Sequence, residues 1–437
     1  MEADAIVIGA GAAGLAAARS LAGRSLRVIL LEARDRIGGR VWSEPTARAP
    51  TPVEFGAEFI HGRAPETMAL LRDVGSAAID TGGESWFRSE GGKLRRDDRD
   101  WTAAASILEK AREFPADESV DTFLRRYDGD AVMRETVQEA RAFVEGFEAA
   151  DPAIASAQSI ADELRSGVDF ASARPIGGYG PIFERLRNAC DVAGVRTHLG
   201  TAVRRVSWRR GAVEVETNNG WGEARTFTAR SAVVTLPVGV LRHTGDDAEI
   251  EFGPGLPAAK RSALGNIEMG HAIKVSLWFR TAFWEAVDDG RYRDAGFFRC
   301  TGQPFAAYWT QYPMRSELIV AWAGGPKANS LAGVSSSETI GRALSGFGAL
   351  LGAPENATDE FEGGAMHDWG SDPWARGAYS YVAVGGGDAR ARLAAPVDDT
   401  LFFAGEATSN DGQGGTVNGA LETGERAARE AAASLSP

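Results

Sequence analysis

The sequence predicts an α/β fold in which a domain with a parallel sheet is combined with a second domain of the α+β type. Three observations support this prediction. Residues 4–31 have the pattern strand, glycine-rich turn, helix, strand; residues 79–175 contain helical stretches with little strand pattern; and residues 272–279 alternate in polarity as a strand does. The first pattern indicates the α/β part of the chain, and the other two indicate the second domain.

The glycine-rich turn near the N-terminus has the spacing of a phosphate-binding loop. A short apolar run ends at Gly9, and Gly11 and Gly14 follow before an alanine-rich helical stretch. Gly9 permits the turn, Gly11 lets the backbone approach a pyrophosphate, and Gly14 lets the helix pack on the strand. Glu32 ends the next apolar run, 18 residues past Gly14, where a carboxylate can bind ribose hydroxyls. These residues predict a Rossmann-like dinucleotide-binding domain.

The turn alone leaves NAD and FAD open as the dinucleotide. The continuation EARDRIGGR, from Glu32 to Arg40, adds a second glycine pair that includes Gly39, and it ends in an arginine. A guanidinium can bind the same pyrophosphate with two parallel hydrogen bonds. The continuation therefore favours FAD.

Lysine is rare in this chain, yet one lysine lies inside an apolar strand pattern. The sequence contains five lysines and 42 arginines. In the stretch AIKVSLWF, Lys274 shares one face of the strand with Ser276 and Trp278, and the other face is apolar. Two interpretations are open: Lys274 extends from an edge strand to solvent, or it serves a buried site.

Composition and charge argue against several classes of protein. The formal net charge of −13 does not favour a nucleic-acid partner. Cys190 and Cys300 stand alone, so neither a disulfide framework nor a metal site is expected. No apolar run is long enough for a membrane span, and no signal-peptide pattern is present. We therefore expect a cytoplasmic protein, a monomer or homodimer, with no metal and with neither a nucleic-acid nor a membrane partner.

Three motifs taken together resemble a known family. GAGAAG at residues 9–14, LEARDRIGGR at residues 31–40 and GAEFIHG at residues 56–62 are similar to the opening of the flavin-dependent amine oxidases. This superfamily includes the monoamine oxidases and the polyamine oxidases. Similar segments also occur at residues 369–381 and 401–426, so the resemblance spans most of the chain.

The resemblance implies a division of the chain between two domains. A Rossmann-like FAD-binding domain of the GR2 type would be formed by residues 1–78, 176–243 and 363–437. An α+β substrate-binding domain would be formed by residues 79–175, which contain a helical insertion, and residues 244–362.

Most motif residues are assigned to FAD by the resemblance. They are Gly9, Gly11, Gly14, Glu32, Arg34, Gly39, Arg40, Gly56, Ala57, Val203, Trp369, Gly405, Glu406, Thr416 and Val417. Glu406 would bind the ribityl or ribose chain, and the helix that begins near Thr416 would direct its positive end at the flavin N1 and O2 edge. Monoamine oxidases carry a flavin-bonded cysteine nine residues after the position of Trp369. Ala378 stands there in this chain, which implies noncovalent FAD.

Five residues are assigned to chemistry and substrate. Lys274 matches the family lysine that holds a water beside the flavin N5, and its ammonium would stabilise charge as O2 takes electrons. His61 would bind a substrate nitrogen, unless it only satisfies nearby backbone groups, and Tyr379 would flank the amine. Thr416 stands where many members have a second aromatic wall, so another ring has to complete it. Glu58 would contact either the flavin or the amine.

The implied activity is oxidation of a C–N bond by hydride transfer to flavin N5, giving an imine and then an aldehyde. Reoxidation by O2 would release H2O2. His61 favours a diamine or polyamine as the small-molecule substrate; the alternative is a monoamine oxidase acting on an aromatic or aliphatic primary amine. An L-amino-acid oxidase is less favoured, because Glu58 would repel a substrate carboxylate unless an arginine comes from elsewhere. A non-amine FAD desaturase, and a protein that holds FAD while binding a partner, are also considered; the strand of Lys274 argues against the first.

Overall fold

The computed structural model describes residues 1–47, 49, 51–97, 101–166, 172–219, 222–246 and 248–435. A five-stranded parallel sheet of short, mostly apolar strands forms the first layer. In order across this sheet the strands are Arg196–His198, Val28–Leu31, Ala5–Ile8, Ser231–Val234 and Leu401–Phe403. The sheet thus gathers strands from the beginning, the middle and the end of the chain.

Both faces of the parallel sheet are buried. Ala5 and Val7 enter one core and Ile6 and Ile8 enter the other, because side chains alternate along a strand. The helices on the first face are Ala12–Ala22, Pro65–Asp73, Gly180–Val192 and Val417–Leu435. The second face packs against a four-stranded sheet, Ala224–Ala229, Ala212–Asn219, Thr201–Arg209 and Glu251–Gly253, and against helices Ala258–Gly265 and Ala389–Ala394. The α/β class and the Rossmann-like arrangement are therefore confirmed.

A seven-stranded sheet forms a second layer, and it contains Lys274. In order the strands are Phe361–Asp368, Ala272–Phe279, Leu318–Gly324, Ala307–Trp309, Ala295–Cys300, Glu84–Arg88 and Arg95–Arg96. Helices Ser336–Leu351 and Pro354–Glu360 pack with this sheet in one apolar cluster. The Lys274 strand pairs with a neighbour on each side, and Lys274 is 5% exposed. The edge-strand interpretation of this lysine is therefore wrong.

A group of helices follows the strand Arg95–Arg96 in the chain. Its helices are Thr102–Glu109, Lys110–Glu113, Val120–Leu124, Arg125–Tyr127, Arg134–Gly146 and Ala157–Arg165, the second and fourth being short 3-10 turns. Their apolar faces share one core that includes Phe123, Phe143 and Val144. Ser156 begins the last helix by accepting a hydrogen bond from the Ser159 backbone N–H, as N-cap serines do. The helical stretches predicted within residues 79–175 are confirmed.

Short elements place several side chains near the parallel sheet. Ile60–His61 and Ala78–Asp80 pair with opposite sides of Ser172–Pro175 in a three-stranded sheet. Tyr379–Val382 pairs with Ile267–Gly270. The remaining short strands and helices are Ser43–Glu44, Val53–Glu54, Val238–Leu241, Phe283–Ala286, Pro326–Asn329 and Glu406–Thr408. Within the ranges described above, the search for a helix both long and apolar enough to cross a bilayer finds none.

Candidate active site

A single deep cavity connects the glycine-rich turn of the parallel sheet with the seven-stranded sheet and the helical group. Its volume is about 1750 Å3, whereas pockets for drug-sized ligands span roughly 300–1,000 Å3. Gly11 and Glu32 line one end, Lys274 and Tyr379 line the middle, and Glu139 lies in the part beside the helices. This cavity has room for a dinucleotide and a second ligand together.

Of the three glycines of the turn, Gly11 is the one at which a Cβ would not collide with neighbouring protein atoms. A Cβ on Gly14 would lie 1.8 Å from the Gly9 carbonyl oxygen, so helix and strand pack too closely for any side chain. Gly9 has a φ of +101°, which an L-residue rarely adopts. A Cβ on Gly11 would meet only the Gly38 carbonyl oxygen, at 3.9 Å, and would project into the cavity. The turn fits a pyrophosphate at Gly11.

Glu32 holds the two phosphate-side loops in place. One carboxylate oxygen accepts a hydrogen bond from the Ala10 N–H at 2.7 Å, and the other accepts one from the Arg34 N–H at 2.9 Å. Each oxygen keeps a second lone pair for a ribose hydroxyl. Burial raises the pKa of Glu32, and the two N–H donors oppose this rise. Val203, which the resemblance assigns to the adenine, also lines the cavity.

Arg34 enters the cavity as a member of an ion-pair network. Its guanidinium lies 2.7 Å from Asp372, and the His367 ring nitrogen lies 2.8 Å from the other oxygen of Asp372. Burial would raise the pKa of Asp372, but the hydrogen bonds from His367 and Arg34 outweigh it and lower this pKa well below its usual range. Arg34 is therefore held by a carboxylate while it lines the cavity.

Arg40 and Glu406 form a second ion pair, 2.8 Å apart, beneath the cofactor end of the cavity. Arg40 also donates to the Ala378 carbonyl oxygen at 2.9 Å, and Glu406 accepts from the Ser380 hydroxyl at 2.6 Å and from the Gly415 N–H at 3.2 Å. The charge of Arg40 contributes to a pKa of Glu406 below its ordinary value, although burial opposes this effect. These contacts join three loops that are far apart in sequence around one point of the cavity.

Gly56 and Ala57 also line the cavity. A Cβ on Gly56 would lie 1.8 Å from the Arg40 carbonyl oxygen and 3.2 Å from the Trp369 ring. The Trp369 indole donates to the Phe55 carbonyl oxygen at 2.8 Å, which fixes this contact. Small residues are required here because two backbone segments and a large ring meet.

Lys274 and Glu58 face each other across the same region. The Lys274 Nζ lies 2.8 Å from a Glu58 carboxylate oxygen and donates to the Gly56 carbonyl oxygen at 2.9 Å. The other Glu58 oxygen accepts from the Arg174 Nε at 2.9 Å and from the Trp309 indole at 3.1 Å. The structure thus places Glu58 in the cavity wall as the partner of two cations.

His61 projects into the cavity from the short strand that follows Glu58. Its Nδ1 lies 3.0 Å from the Ser172 hydroxyl, and its ring contacts the Phe147 ring edge to face, with 5.0 Å between centroids. Burial lowers the pKa of His61 to about 4, so the imidazole is neutral at physiological pH. Its Nε2 has no hydrogen-bond partner in the described part of the chain. His61 thus offers a nitrogen to a ligand in the cavity.

Tyr379 and Phe147 form an aromatic part of the wall. The Tyr379 hydroxyl donates to the Phe147 carbonyl oxygen at 2.6 Å, and the Phe147 ring stacks on Phe143 at 5.1 Å. Thr416 lines the cavity, but its hydroxyl caps the C-terminal helix by accepting from the Gly419 N–H at 2.9 Å. Phe147 is thus a ring that the sequence argument required in addition to Tyr379 but did not identify.

Other side chains of the site were also missed by the sequence argument. Arg390 is buried and donates to the Ser380 hydroxyl at 2.8 Å, and it lies 3.3 Å from Glu163. Glu148 and Glu163 line the cavity near Tyr379. Burial raises the pKa of Glu148, and the neighbouring carboxylate of Glu163 adds to this rise. In the sequence, Glu148 and Glu163 are recognisable only as carboxylates near the ends of charged helices. Many solvent-exposed carboxylates occupy similar positions.

The glycine turn, the Glu32 carboxylate and the cavity define a dinucleotide-binding protein of the α/β class. The family model of the flavin containing amine oxidoreductases matches residues 12–432. The chain belongs to this family, and FAD is its cofactor.

The individual proteins to which the chain is similar share less than 30% sequence identity with it. The chain is 28% identical to polyamine oxidase 4 of Oryza sativa subsp. japonica, over 97% of this chain and 88% of the relative. It is 27% identical to lysine-specific histone demethylase 2 of Homo sapiens, over 98% of this chain but only 53% of that protein. Wild-type putrescine oxidase bound to putrescine has a similar fold, with a TM-score of 0.81, 22% identity and 99% coverage of both chains. Cyclohexylamine oxidase from Brevibacterium oxydans has a TM-score of 0.79, with 22% identity over 100% of this chain and 99% of that chain.

Proposed function

We propose that this chain oxidises a diamine or polyamine at a C–N bond, with noncovalently bound FAD and with O2 as the electron acceptor. The observation that carries the proposal is the neutral His61 imidazole, whose Nε2 faces a cavity walled by Phe147 and Tyr379. The polyamine oxidase among the relatives supports the same substrate class. Ala378 offers no side chain to form a covalent bond with the flavin, which supports noncovalent binding.

When bound, FAD would supply the two-electron chemistry of the reaction: uptake of a hydride from the carbon next to the amine nitrogen, followed by reoxidation by O2 with release of H2O2. The protein has to prepare the amine for this step. An alkylammonium with a pKa near ~10 has no free lone pair, so it must lose a proton first. The rings of Tyr379 and Phe147 remove water from the ammonium and thereby lower its pKa. The resulting imine is hydrolysed to an aldehyde.

His61 is proposed to bind a substrate nitrogen. A neutral imidazole whose Nδ1 is directed at the Ser172 hydroxyl can accept a hydrogen bond from an ammonium at Nε2. A protonated imidazole would repel that ammonium, and the low pKa of His61 prevents this. Lys274 is proposed to hold a water beside the reacting atoms through an N–H that the protein does not occupy.

A second ammonium of the substrate is proposed to bind near Glu148. This carboxyl group is buried close to Glu163, and its raised pKa favours the protonated form when no cation is present. A substrate ammonium would favour the ionised form and lower that pKa. Binding of a diamine should therefore release a proton from the protein, whereas binding of a monoamine at the flavin end should not.

The domain division and the cellular location predicted from the sequence are part of the proposal. The buried contacts of the parallel sheet support an FAD-binding domain built mainly from residues 1–78, 176–243 and 363–437. The bounds need two corrections: residues 251–267 also pack against the parallel sheet, and residues 363–368 form part of the seven-stranded sheet. The two cysteines, Cys190 and Cys300, are both unpaired and buried, which supports a reducing, cytoplasmic environment.

An L-amino-acid oxidase is disfavoured for a reason that differs from the one the sequence suggested. An arginine does reach Glu58, namely Arg174, but its guanidinium is bound by Glu58 at 2.9 Å and it is 3% exposed. It is therefore not available to a substrate carboxylate. The chemistry of a non-amine desaturase assigns no role to a neutral histidine and an ion-paired lysine in the same cavity.

The experiment that tests the proposal is anaerobic. The FAD-loaded protein is mixed separately with putrescine, spermidine, spermine, benzylamine, cyclohexylamine and an L-amino acid, and bleaching of the flavin absorption is followed. We expect fast bleaching with a diamine or polyamine. Replacement of His61 by Leu should raise the apparent Kd for the polyamine roughly five- to tenfold, the effect of one lost hydrogen bond.

A matched control is Ser76→Ala, which removes a serine hydroxyl that hydrogen-bonds only a surface backbone carbonyl. This change should leave both the bleaching rate and the Kd as they are. Bleaching by benzylamine alone would identify a monoamine oxidase instead, and no bleaching by any amine would support the desaturase class.

A further inference from the structure

Glu58 is the centre of a buried charge cluster that the proposed reaction has not yet used. Its carboxylate lies 2.8 Å from the Lys274 Nζ and 2.9 Å from the Arg174 guanidinium. The side chains of all three are at most 5% exposed. A buried charge is costly unless it is paired, and removal of one partner leaves the others uncompensated. The surrounding residues must therefore keep the three charged side chains paired with one another.

The geometry of Lys274 shows what this cluster does to its ammonium. One N–H is donated to the Gly56 carbonyl oxygen at 2.9 Å, and the ammonium forms an ion pair with a Glu58 carboxylate oxygen 2.8 Å from Nζ. Both acceptors lie on the same short segment of chain, so they hold Nζ from one side. The third N–H has no acceptor within the residues that the structure describes, and Lys274 lines the cavity. This donor is directed toward the ligand space.

Glu58 is itself fixed from the opposite side. The Trp309 indole donates to it at 3.1 Å, and the Arg174 Nε donates to the same oxygen. Arg174 in turn lies over the Phe59 ring, 5.1 Å from its centroid, and donates to the carbonyl oxygen of Thr310 at 3.4 Å. The carboxylate thus has little freedom to rotate away from Lys274.

The charge state of Glu58 is equally well determined. Burial alone would raise the pKa of Glu58, but the charges of Lys274 and Arg174 and the hydrogen bonds from Lys274 and Trp309 outweigh it and lower the pKa to about 2. Glu58 therefore stays ionised at neutral pH. In this arrangement the carboxylate is paired with Lys274 and Arg174, while it also lines the cavity.

We infer that Glu58 is a positioning residue that directs the free N–H of Lys274 into the cavity. The inference rests on the proposed function, because it acts only through the role given there to Lys274. Without Glu58, the ammonium keeps only the Gly56 carbonyl and is free to turn. The step that depends on Lys274 should then slow, although FAD remains bound and Lys274 is still present.

Three variants test this inference with stopped-flow measurement of both half-reactions: Glu58→Gln, Lys274→Met and the double variant. The substrate probe is the amine that bleaches the native protein fastest, and the second probe is O2 mixed with the reduced protein. We expect Lys274→Met to slow one half-reaction and Glu58→Gln to slow the same one by on the order of tenfold, less than full loss of an oriented donor. In the Lys274→Met background, Glu58→Gln should change nothing further.

Controls separate positioning from general damage. Glu214→Gln removes an exposed carboxylate on the strand Ala212–Asn219 of the four-stranded sheet, and it should leave both half-reactions unchanged. Glu58→Asp keeps the charge and should restore part of the lost rate. Flavin absorption and the melting temperature report whether each variant is folded and loaded.

The outcomes are distinguishable. Unchanged rates in Lys274→Met would overturn the role proposed for the lysine, and with it this inference. Slowing by Lys274→Met but not by Glu58→Gln would overturn the inference alone, as would effects of the two substitutions that multiply in the double variant. If Glu58→Gln does not fold, Trp309→Phe removes one donor to Glu58 while keeping a ring. It should then give a smaller slowing that also disappears in the Lys274→Met background, and a slowing that persists there would overturn the inference.

Discussion

Replacement of Glu54 by Gln should stabilise the protein at alkaline pH. Glu54 is 6% exposed and accepts hydrogen bonds from the Ser43 hydroxyl at 2.7 Å and from the Tyr179 N–H at 2.9 Å. No cation forms an ion pair with it within the described ranges. Burial therefore raises the pKa of Glu54 to about 7, despite the opposing hydrogen bond from Ser43. A glutamine has the same shape and no charge, so it keeps the packing and removes the titration.

The magnitude follows from the difference in pKa between the folded and unfolded chain. The pKa rises from 4.5 to about 7 on folding, and each pH unit corresponds to 1.36 kcal/mol, so the free energy involved is about 3 kcal/mol. The folded state binds the proton more tightly. The contribution of Glu54 to stability is thus fully present below pH 4.5 and is lost as pH rises through about 7. The native protein should lose this stability over that window, and the glutamine variant should not.

Urea unfolding of the FAD-loaded protein at several values between about pH 5 and pH 8 measures this difference. The free energy of unfolding of Glu54→Gln should exceed that of the native protein by an amount that grows with pH and levels off above about pH 7. Glu214→Gln is the matched control, because Glu214 is an exposed carboxylate on a strand. If the native protein and Glu54→Gln give parallel pH profiles, Glu54 is ionised in the folded state and the argument from burial is refuted.

Two further predictions concern backbone contacts around the site. Gly56→Ala should abolish FAD retention and lower the melting temperature, because a Cβ there lies 1.8 Å from the Arg40 carbonyl oxygen; Gly129→Ala, where a Cβ meets nothing within 4 Å, is the control, and equal flavin content in both variants would contradict the reasoning. Asn418→Ala should lower the free energy of unfolding by about 1 kcal/mol, because the Asn418 side chain accepts the N–H groups of Glu66 and Thr67 at 3.1 and 3.3 Å and so caps the helix Pro65–Asp73. Asn418→Asp keeps the acceptor and should retain most of this stability, and a loss as large as that of the alanine variant would argue against the cap.

The sequence predicted the parts of the molecule in which residues that are neighbours in the chain form both the recognisable pattern and the functional feature. The turn at Gly9, Gly11 and Gly14 is recognisable because its spacing is fixed by contacts within one strand and helix. Lys274 was singled out because lysine is rare in this chain and the surrounding strand is apolar. In both cases the residues that carry the signal are neighbours in sequence.

The sequence could not show contacts between distant segments. The pairing of Glu58 with Arg174 spans 116 residues, and Arg174 precedes a proline in a stretch that indicates only a turn. Phe147 completes the aromatic wall from the end of a helix, where a ring usually belongs to a core. Thr416 lines the cavity, and the sequence did not show that its hydroxyl also caps the C-terminal helix. The partner of a side chain depends on tertiary packing, and local sequence periodicity does not specify that packing.

The short strand Ser172–Pro175 contacts both His61, which is proposed to bind the amine, and Glu58, which is proposed to position Lys274. Ser172 holds the His61 ring, and Arg174, two residues away on the same strand, holds Glu58. Because alternate residues of a strand share a face, a shift of this segment by one position would release both contacts at once. If His61 and Lys274 have the roles proposed for them, redesign of this strand to change the amine preference would also alter the half-reaction that depends on Lys274. Substitution of His61 itself, with the strand left intact, gives the two properties a route to change independently.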